Sequence, residues 1–543
     1  MTSHRTTIRS ATRPVAVAVC VLVGTVLVSM IATASMAAHS RATATRLVIG
    51  VNALPITLDN NFAPGQESAE SVINIYDPLW NWKNVRDEQG IPSANIAAGA
   101  NGMVNWLVRK TDVSKNKRTY TLHLRQGVKS AAGNEMTSAD VKWSLDRAFG
   151  TKAIGTYIMA VAGVPNPAAV SVVDKYTVRI RLAGPNGIMR QSLFVHPGRI
   201  LDSTVAKQHA TASDPWATTW LKTNSAGFGP YSVTSFTPGQ QVIFEANPSY
   251  WHGKPQYDQI IYREIPDASQ RLSLLQQGQI DIAEGLSIDQ LNALKGKSGV
   301  KVISTVKNQF LYGALNTTKG PTANPRVRQA LQYAVPQQQI NQVVYRGTGR
   351  PLANLIPQSY PGRAPSVWKY TYNLAKAKAL LAAAGYGKGF TLRADVNADI
   401  PDHTSAAVIL QAAYKKIGVN LVIDKKPTAA YFTGAASGDY GVVIAGSYAV
   451  VDEVCYHEAT FVTGSGAVAF NNYKNPSFEA TLAKCAKTDG PARVVLGKKL
   501  QAISAKDVPS LSLVEQPTTY GLRSDVNGYT WSTYNQLRFD DLR

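Results

Sequence analysis

The sequence predicts an α/β fold with mixed sheets, and three observations predict it. Short segments alternate polar with apolar side chains at the two-residue period of a strand. Other segments repeat apolar residues at helical spacing behind a side chain able to cap a helix. The two kinds interleave along the chain, with no internal repeat and no low-complexity tract long enough to serve as a linker.

In chain order, Thr119-Tyr120-Thr121-Leu122-His123-Leu124 reads as a half-buried strand: Tyr120, Leu122 and Leu124 face a core, while His123 and Arg125 face water. Thr137-Ser138-Ala139-Asp140 is a capping box, opening a helix with Val141, Leu145 and Ala148 on one stripe. Asp267 caps a helix that runs through Leu272 and Leu275, closes at Gly278 and leads into Ile280-Asp281-Ile282. Asn324-Pro325 starts another, with Val327, Leu331 and Ala334 inward, since proline is tolerated at the first helical position. Asn373 caps Leu374 to Ala384, and Gly385 ends it. Thr404 to Gly418 repeats the design, with Val408 and Ala412 expected inward.

The 543 residues suit three or four compact units at roughly 150 residues each. With 45% hydrophobic and 17% charged residues, the chain can bury a sizeable core, which excludes global disorder and a disulfide-stapled miniprotein. One segment alone is apolar enough to meet a membrane, which excludes a polytopic transporter. The net charge is +21, from 56 Lys plus Arg against 35 Asp plus Glu. The basic residues are dispersed and no nucleic-acid motif accompanies them, so the charge is read as a solvated surface and no nucleic-acid partner is expected.

Residues 1–45 read as a signal peptide, or an N-terminal anchor, plus a spacer. Arg5, Arg9 and Arg13 precede the apolar run Val15 to Ile31, and small residues follow from Ala34 to Ala38, with cleavage expected after Ala37. An uncleaved anchor is the alternative, and the one expected route to membrane association. Cys20 lies inside the apolar run behind Val19, not at its end behind a small residue, so lipidation is not expected. The protein is therefore expected in the cell envelope, periplasmic or extracellular. In that oxidising setting the remaining pair, Cys455 and Cys485, is expected to form a disulfide. The competing reading is a metal site with His457 and Glu458, which lacks a second ligand pair.

Catalytic signatures are absent from the sequence. It has no Gly-x-Ser-x-Gly elbow, no Walker loop, no dinucleotide fingerprint and no His-Glu-x-x-His helix, and its eight His are scattered. No cofactor, metal ligand or catalytic residue is predicted. An exported hydrolase with a triad drawn from distant residues is the rival class.

A set of ordered blocks carries a family resemblance. They are Leu47-Val48-Ile49-Gly50 with Thr57-Leu58-Asp59, Ile75-Tyr76-Asp77-Pro78-Leu79-Trp80, Tyr120 to Val128, and Thr137 to Leu145. Then come Gly227-Phe228-Gly229-Pro230-Tyr231, Asn247-Pro248-Ser249-Tyr250-Trp251-His252-Gly253-Lys254-Pro255, and Leu274 to Ile282. Asn324 to Ala334, Gly385-Tyr386 with Gly389-Phe390, and Ile417-Gly418-Val419 complete the set. Together, from about 47 to 420, they resemble the extracytoplasmic solute-binding proteins of ABC importers, family 5, the group of dipeptide-, oligopeptide- and nickel-binding proteins. Taken singly, most blocks read as structural. Trp251 and Tyr250 are expected to pack under a loop, and Gly229-Pro230 to shape a turn.

The resemblance implies a two-lobe periplasmic-binding-protein-like fold of the class II, cluster C type, with two hinge crossings and an extra domain. Lobe I would comprise 46–72, 196–285 and 508–543, the extra domain 73–195, and lobe II 286–507. A monomer would close its hinge on a peptide or peptide-like solute and present it to the membrane subunits of an ABC permease, breaking no bond. Sensing of a non-peptide ligand, such as a nickel chelate or a sugar, is the alternative within the family.

The same resemblance supplies the candidate site. The contact loop of one wall falls at Gln66, Glu67 and Ser68, with Asn316 and Tyr448 as further candidates. In peptide-binding members the second lobe carries a Gly-Trp segment followed by an aspartate that pairs with the ligand's amino terminus. Here the segment is Gly446 to Val454, which puts Val450 at the amine-pairing position, where it cannot offset the cost of burying an ammonium. Asp452 or Glu453 takes that role if the loop is shifted by two residues.

Overall fold

The computed structural model describes residues 45–62, 65–448, 451–464 and 469–543. The leader and Val450 lie outside the described residues. Among those described, no helix is long and apolar enough to cross a membrane.

One eleven-stranded mixed sheet organises the molecule. Its order is Tyr231–Thr237, Gln241–Ala246, Gln259–Glu264, Arg46–Val51, Ile282–Ala283, Ser510–Arg523, Val300–Leu315, Val442–Tyr448, Phe390–Asn397 and Val419–Lys426, with Arg350–Pro351 pairing onto Ser510–Arg523. Arg46–Val51 runs parallel to both its neighbours, and Phe390–Asn397 runs parallel to both of its own. Parallel pairs need crossover connections, and the capped helices supply them. Thr137, Asp267, Asn324 and Asn373 all accept a backbone N–H at their helix starts, as their sequences predict.

The two long strands, Val300–Leu315 and Ser510–Arg523, are antiparallel partners in the middle of this sheet. One end of the pair borders the strands of the first half, and the other borders Val442–Tyr448 of the second. They are the two chain crossings expected of the fold. Their ladder breaks in the middle: Val306 pairs with Pro517 and Phe310 with Glu515, so Lys307, Asn308 and Gln309 stand opposite Gln516 alone. A bulge of this kind bends a strand where no regular ladder bond has to be broken.

The second half has its own core, built from Leu311, Leu331, Leu381, Leu392, Leu410 and Ile444 among others. A separate four-stranded antiparallel sheet, in the order Val108–Val113, Thr119–Leu124, Thr177–Arg181, Val170–Asp174, lies within the segment read as the extra domain. Arg147, on the helix Ser138–Gly150, ties that segment to the N-terminal part through a fully buried bidentate pair with Asp59.

The family blocks prove to be joints. Asp77 accepts from Trp251 Nε1 at 2.8 Å and from the Tyr250 hydroxyl at 3.3 Å. Gly229 is required by close approach, since a Cβ there would lie 2.5 Å from the Ile75 carbonyl oxygen. Two expectations need correction. Arg125 does not simply face water: its guanidinium lies 4.5 Å over the Trp251 ring, and that stacking draws the long side chain inward. The last of the predicted helices begins at Pro401 and buries Ala406, Ala407, Leu410 and Tyr414, leaving both Val408 and Ala412 exposed. That segment is apolar on nearly every face, so spacing alone does not fix which face turns inward.

Candidate functional site

The helix Gln66–Ile75 carries the candidates Gln66, Glu67 and Ser68. Its inward face carries Glu70 and Asn74, one turn apart and both fully buried. Glu70 accepts from the Tyr262 hydroxyl and from Leu537 N, the latter at 2.7 Å. Asn74 donates to the Leu537 carbonyl at 2.9 Å and accepts from Phe539 N at 2.8 Å. These bonds pin the C-terminal segment against the helix. Burial pushes Glu70 up to about 7, with hydrogen bonds from Tyr262, Leu537 N and the Glu284 carboxyl opposing the rise, while burial and the Glu70 charge hold Glu284 well above the usual carboxylate range, so the two acids hold a proton between them.

Of the candidates on this helix, Gln66 is exposed and Glu67 half-buried. Burial raises the Glu67 carboxyl above its ordinary range, against the opposing field of Arg271. Ser68 is buried and its hydroxyl accepts from Ile56 N at 3.0 Å, so that side chain holds the preceding loop in place.

The remaining candidates lie in the second half. Tyr448 ends the strand Val442–Tyr448, and its hydroxyl accepts from Gln536 Nε2 at 3.1 Å. The charge of Glu67 also bears on Tyr448. The structure therefore brings Glu67, Tyr448 and Gln536 together where the halves meet. Asn316 does not join them. It donates to the carbonyls of Gly438 and Tyr440 and accepts from Thr318 N and Lys319 N, which commits its amide to a turn.

Asp452 and Glu453 lie side by side but in different surroundings. Asp452 is fully buried and accepts from Asn308 Nδ2 at 3.1 Å. Desolvation pushes its carboxyl up to about 8, with Asn308 and Tyr360 opposing the rise. Asn308 is the middle residue of the interrupted ladder. It also donates to the Thr533 carbonyl at 2.9 Å and accepts from Asn535 Nδ2, so one amide joins the hinge, Asp452 and the C-terminal segment. Glu453 caps the helix Val454–Phe461 and forms a bidentate pair with Arg493, at 2.8 and 3.1 Å. Its charge is neutralised within the protein.

Cys455 and Cys485 are joined as a disulfide, with Cα atoms 6.3 Å apart. Both sulfurs are thereby removed from the competing metal reading. Among the described residues no group of three or more His, Cys, Asp or Glu side chains could hold a metal ion. His457 is fully buried among Phe310, Tyr360 and Phe461, and burial drives its imidazole down to about 3, so it is neutral. The bridge fixes the helix that follows Asp452 to the helix Pro476–Cys485.

Sequence reasoning missed Glu70, Asn74, Asn308 and Gln536. The first two carried no signal that set them apart, because with Gln66, Glu67 and Ser71 they make up the polar side of the helix, which reads as solvent-facing from sequence. The other two carried none, because their roles depend on strand register and on the return of the C terminus.

Comparison with known proteins places this geometry. The family model for bacterial extracellular solute-binding proteins, family 5 (middle) matches residues 102–467. The dipeptide-binding protein of Escherichia coli K12 is 27% identical over 485 residues, covering 84% of this chain and 90% of its own. The glutathione-binding protein GsiB of Salmonella typhimurium is 28% identical over 453 residues, covering 80% and 85%. Among solved structures, the periplasmic binding protein DppA of Helicobacter pylori, in complex with the peptide STSA, superposes with a TM-score of 0.79 at 25% identity, covering 92% of this chain and 97% of its own. All three are named for binding.

Proposed function

Because the chain belongs to the bacterial extracellular solute-binding proteins of family 5, we propose that it is the exported receptor of an ABC importer. It captures a peptide by hinge closure and hands it to a membrane permease. The lobes follow the boundaries given above (46–72, 196–285 and 508–543 against 286–507, with 73–195 as the extra domain), and the receptor acts as a monomer. It performs no chemistry on its guest.

The observation that carries this reading is the hinge. Two long strands connect the halves, their ladder is interrupted midway, and the wall residues Tyr448 and Asp452 stand close to that interruption. A ligand touching both walls makes its full set of contacts only when the halves are together, so its differential affinity shifts the population toward the closed form. Asp452 is the partner for the ligand's ammonium, with Tyr448, Glu67 and the backbone at Gln66 and Ser68 lining the rest. Glu453 supports the site as a cap.

Calorimetry of the mature protein against peptides of two to five residues, with native mass spectrometry of protein purified from its source, tests the reading. Retained or titrated peptide is expected. A retained sugar or metal chelate, with no peptide bound, would replace the peptide assignment. Turnover of the peptides would replace the receptor by a hydrolase.

A further inference from the structure

A cleft of about 540 Å³ opens beside Asp452. One side comes from 97–101 and 186–191 of the extra-domain segment, and the other from 452–454 and the start of the helix Gly490–Asp507. A volume of this order is ordinarily enough for a whole small ligand, more than one terminal residue needs. Its sides are lined with small residues, including Ala98, Gly99, Gly187 and Gly490, which leave the backbone of both sides within reach of an extended chain.

The charges in the cleft are unequally committed. Asp489 pairs with Lys117 across it at 2.9 Å and also accepts from Gly490 N. Glu453 and Arg493 are paired with each other. Arg190 is half-buried beside Tyr120 and has no ion pair among the described residues. A positive charge is thus left over on the cleft wall, while the N-terminal end of the helix Gly490–Asp507 already has the Asp489 carboxylate as its cap.

We propose that this side chamber receives the carboxylate end of a peptide longer than two residues, with Arg190 as the anion's partner and the amino end at Asp452. The inference rests on the receptor reading above and adds to it. The extra-domain segment becomes a wall of the site, and ligand length is read there.

Calorimetry of the full mature chain with Ala-Ala, tetra-alanine and tetra-alanine amide is the test, repeated on Arg190→Gln and Arg190→Lys. The free acid should bind at least about tenfold more tightly than the amide, as expected for a charge-assisted contact. The difference should vanish in Arg190→Gln and return in part in Arg190→Lys. The acid-to-amide comparison in the unaltered protein needs no variant to fold. Equal affinity for acid and amide, a preference that survives Arg190→Gln, or binding of Ala-Ala alone would overturn the chamber and leave the receptor standing. Failure of peptides of every length would overturn the receptor reading, and the chamber with it.

Discussion

If Asp452 receives the ligand's ammonium, peptide affinity must depend on pH in a way the structure fixes. Burial holds the carboxyl up at about 8, so near neutral pH the unliganded site is mostly protonated. Pairing with an ammonium requires the ionised form. At pH 6 the proton must leave a group about two units above the solution pH, costing about 2.7 kcal/mol, a factor of about 100 in affinity. The binding constant should therefore rise about tenfold per pH unit from about 5.5 to 7.5. It should level near 8, where a peptide α-amine with an ordinary value of about 7.7–8.0 begins to lose its own proton. Nearby groups do not supply this slope: burial raises the Tyr456 phenol far above this range, His457 is neutral at about 3, and Glu458 bonds away from the site to Ser504. Calorimetry at pH 6 in buffers of different ionisation enthalpy should report release of about one proton, and Asp452→Asn should flatten the profile. An affinity independent of pH, no proton release, or the same slope in Asp452→Asn would refute the assignment of Asp452.

Three further outcomes follow from the same geometry. Asn308→Ala removes the amide shared by Asp452, Thr533 and Asn535 and should cost about 2–4 kcal/mol in denaturant unfolding, while Asn316→Ala should leave peptide affinity unchanged. Reducing Cys455–Cys485, whose cysteines are 30 residues apart in sequence, should cost about 3–4 kcal/mol by the loop-entropy relation, read as a lower denaturant midpoint. Stability should fall as pH rises from about 5 to 8.5: Asp452 and Glu458 both have carboxyls raised to about 8, so the folded state binds protons more tightly than the unfolded chain and loses that advantage as pH passes through the folded values. Glu458→Gln should flatten that decline in a series of thermal melts.

The fold was legible because local signals and family blocks agreed. The capping side chains at 137, 267, 324 and 373 each specify a helix start by themselves, and the alternation at 119–124 returns in the burial of Tyr120, Leu122 and Leu124. The phase of the helix after Pro401 was not legible, since Ala, Val and Leu surround its axis and only tertiary contact selects a face. The candidate site was legible in part: Asp452 and Tyr448 stand out as an acid and an aromatic in a family-like segment, and the structure puts both beside the interrupted strand pair, whereas Asn316, similar in kind, serves a turn. What separates them is the neighbourhood: Asp452 faces a strand interruption made by residues more than 140 positions away, and Asn316 meets the carbonyls of Gly438 and Tyr440. Pairwise register across such distances is set by the assembled sheet and has no local signature.

Small-angle scattering with and without saturating peptide is the decisive measurement of hinge closure. Peptide should reduce the radius of gyration, as the two halves draw together about the Val300–Leu315 and Ser510–Arg523 crossing, and Asn308→Ala should alter the open-to-closed balance without peptide. Identical profiles with and without a peptide that calorimetry shows to be bound would contradict it.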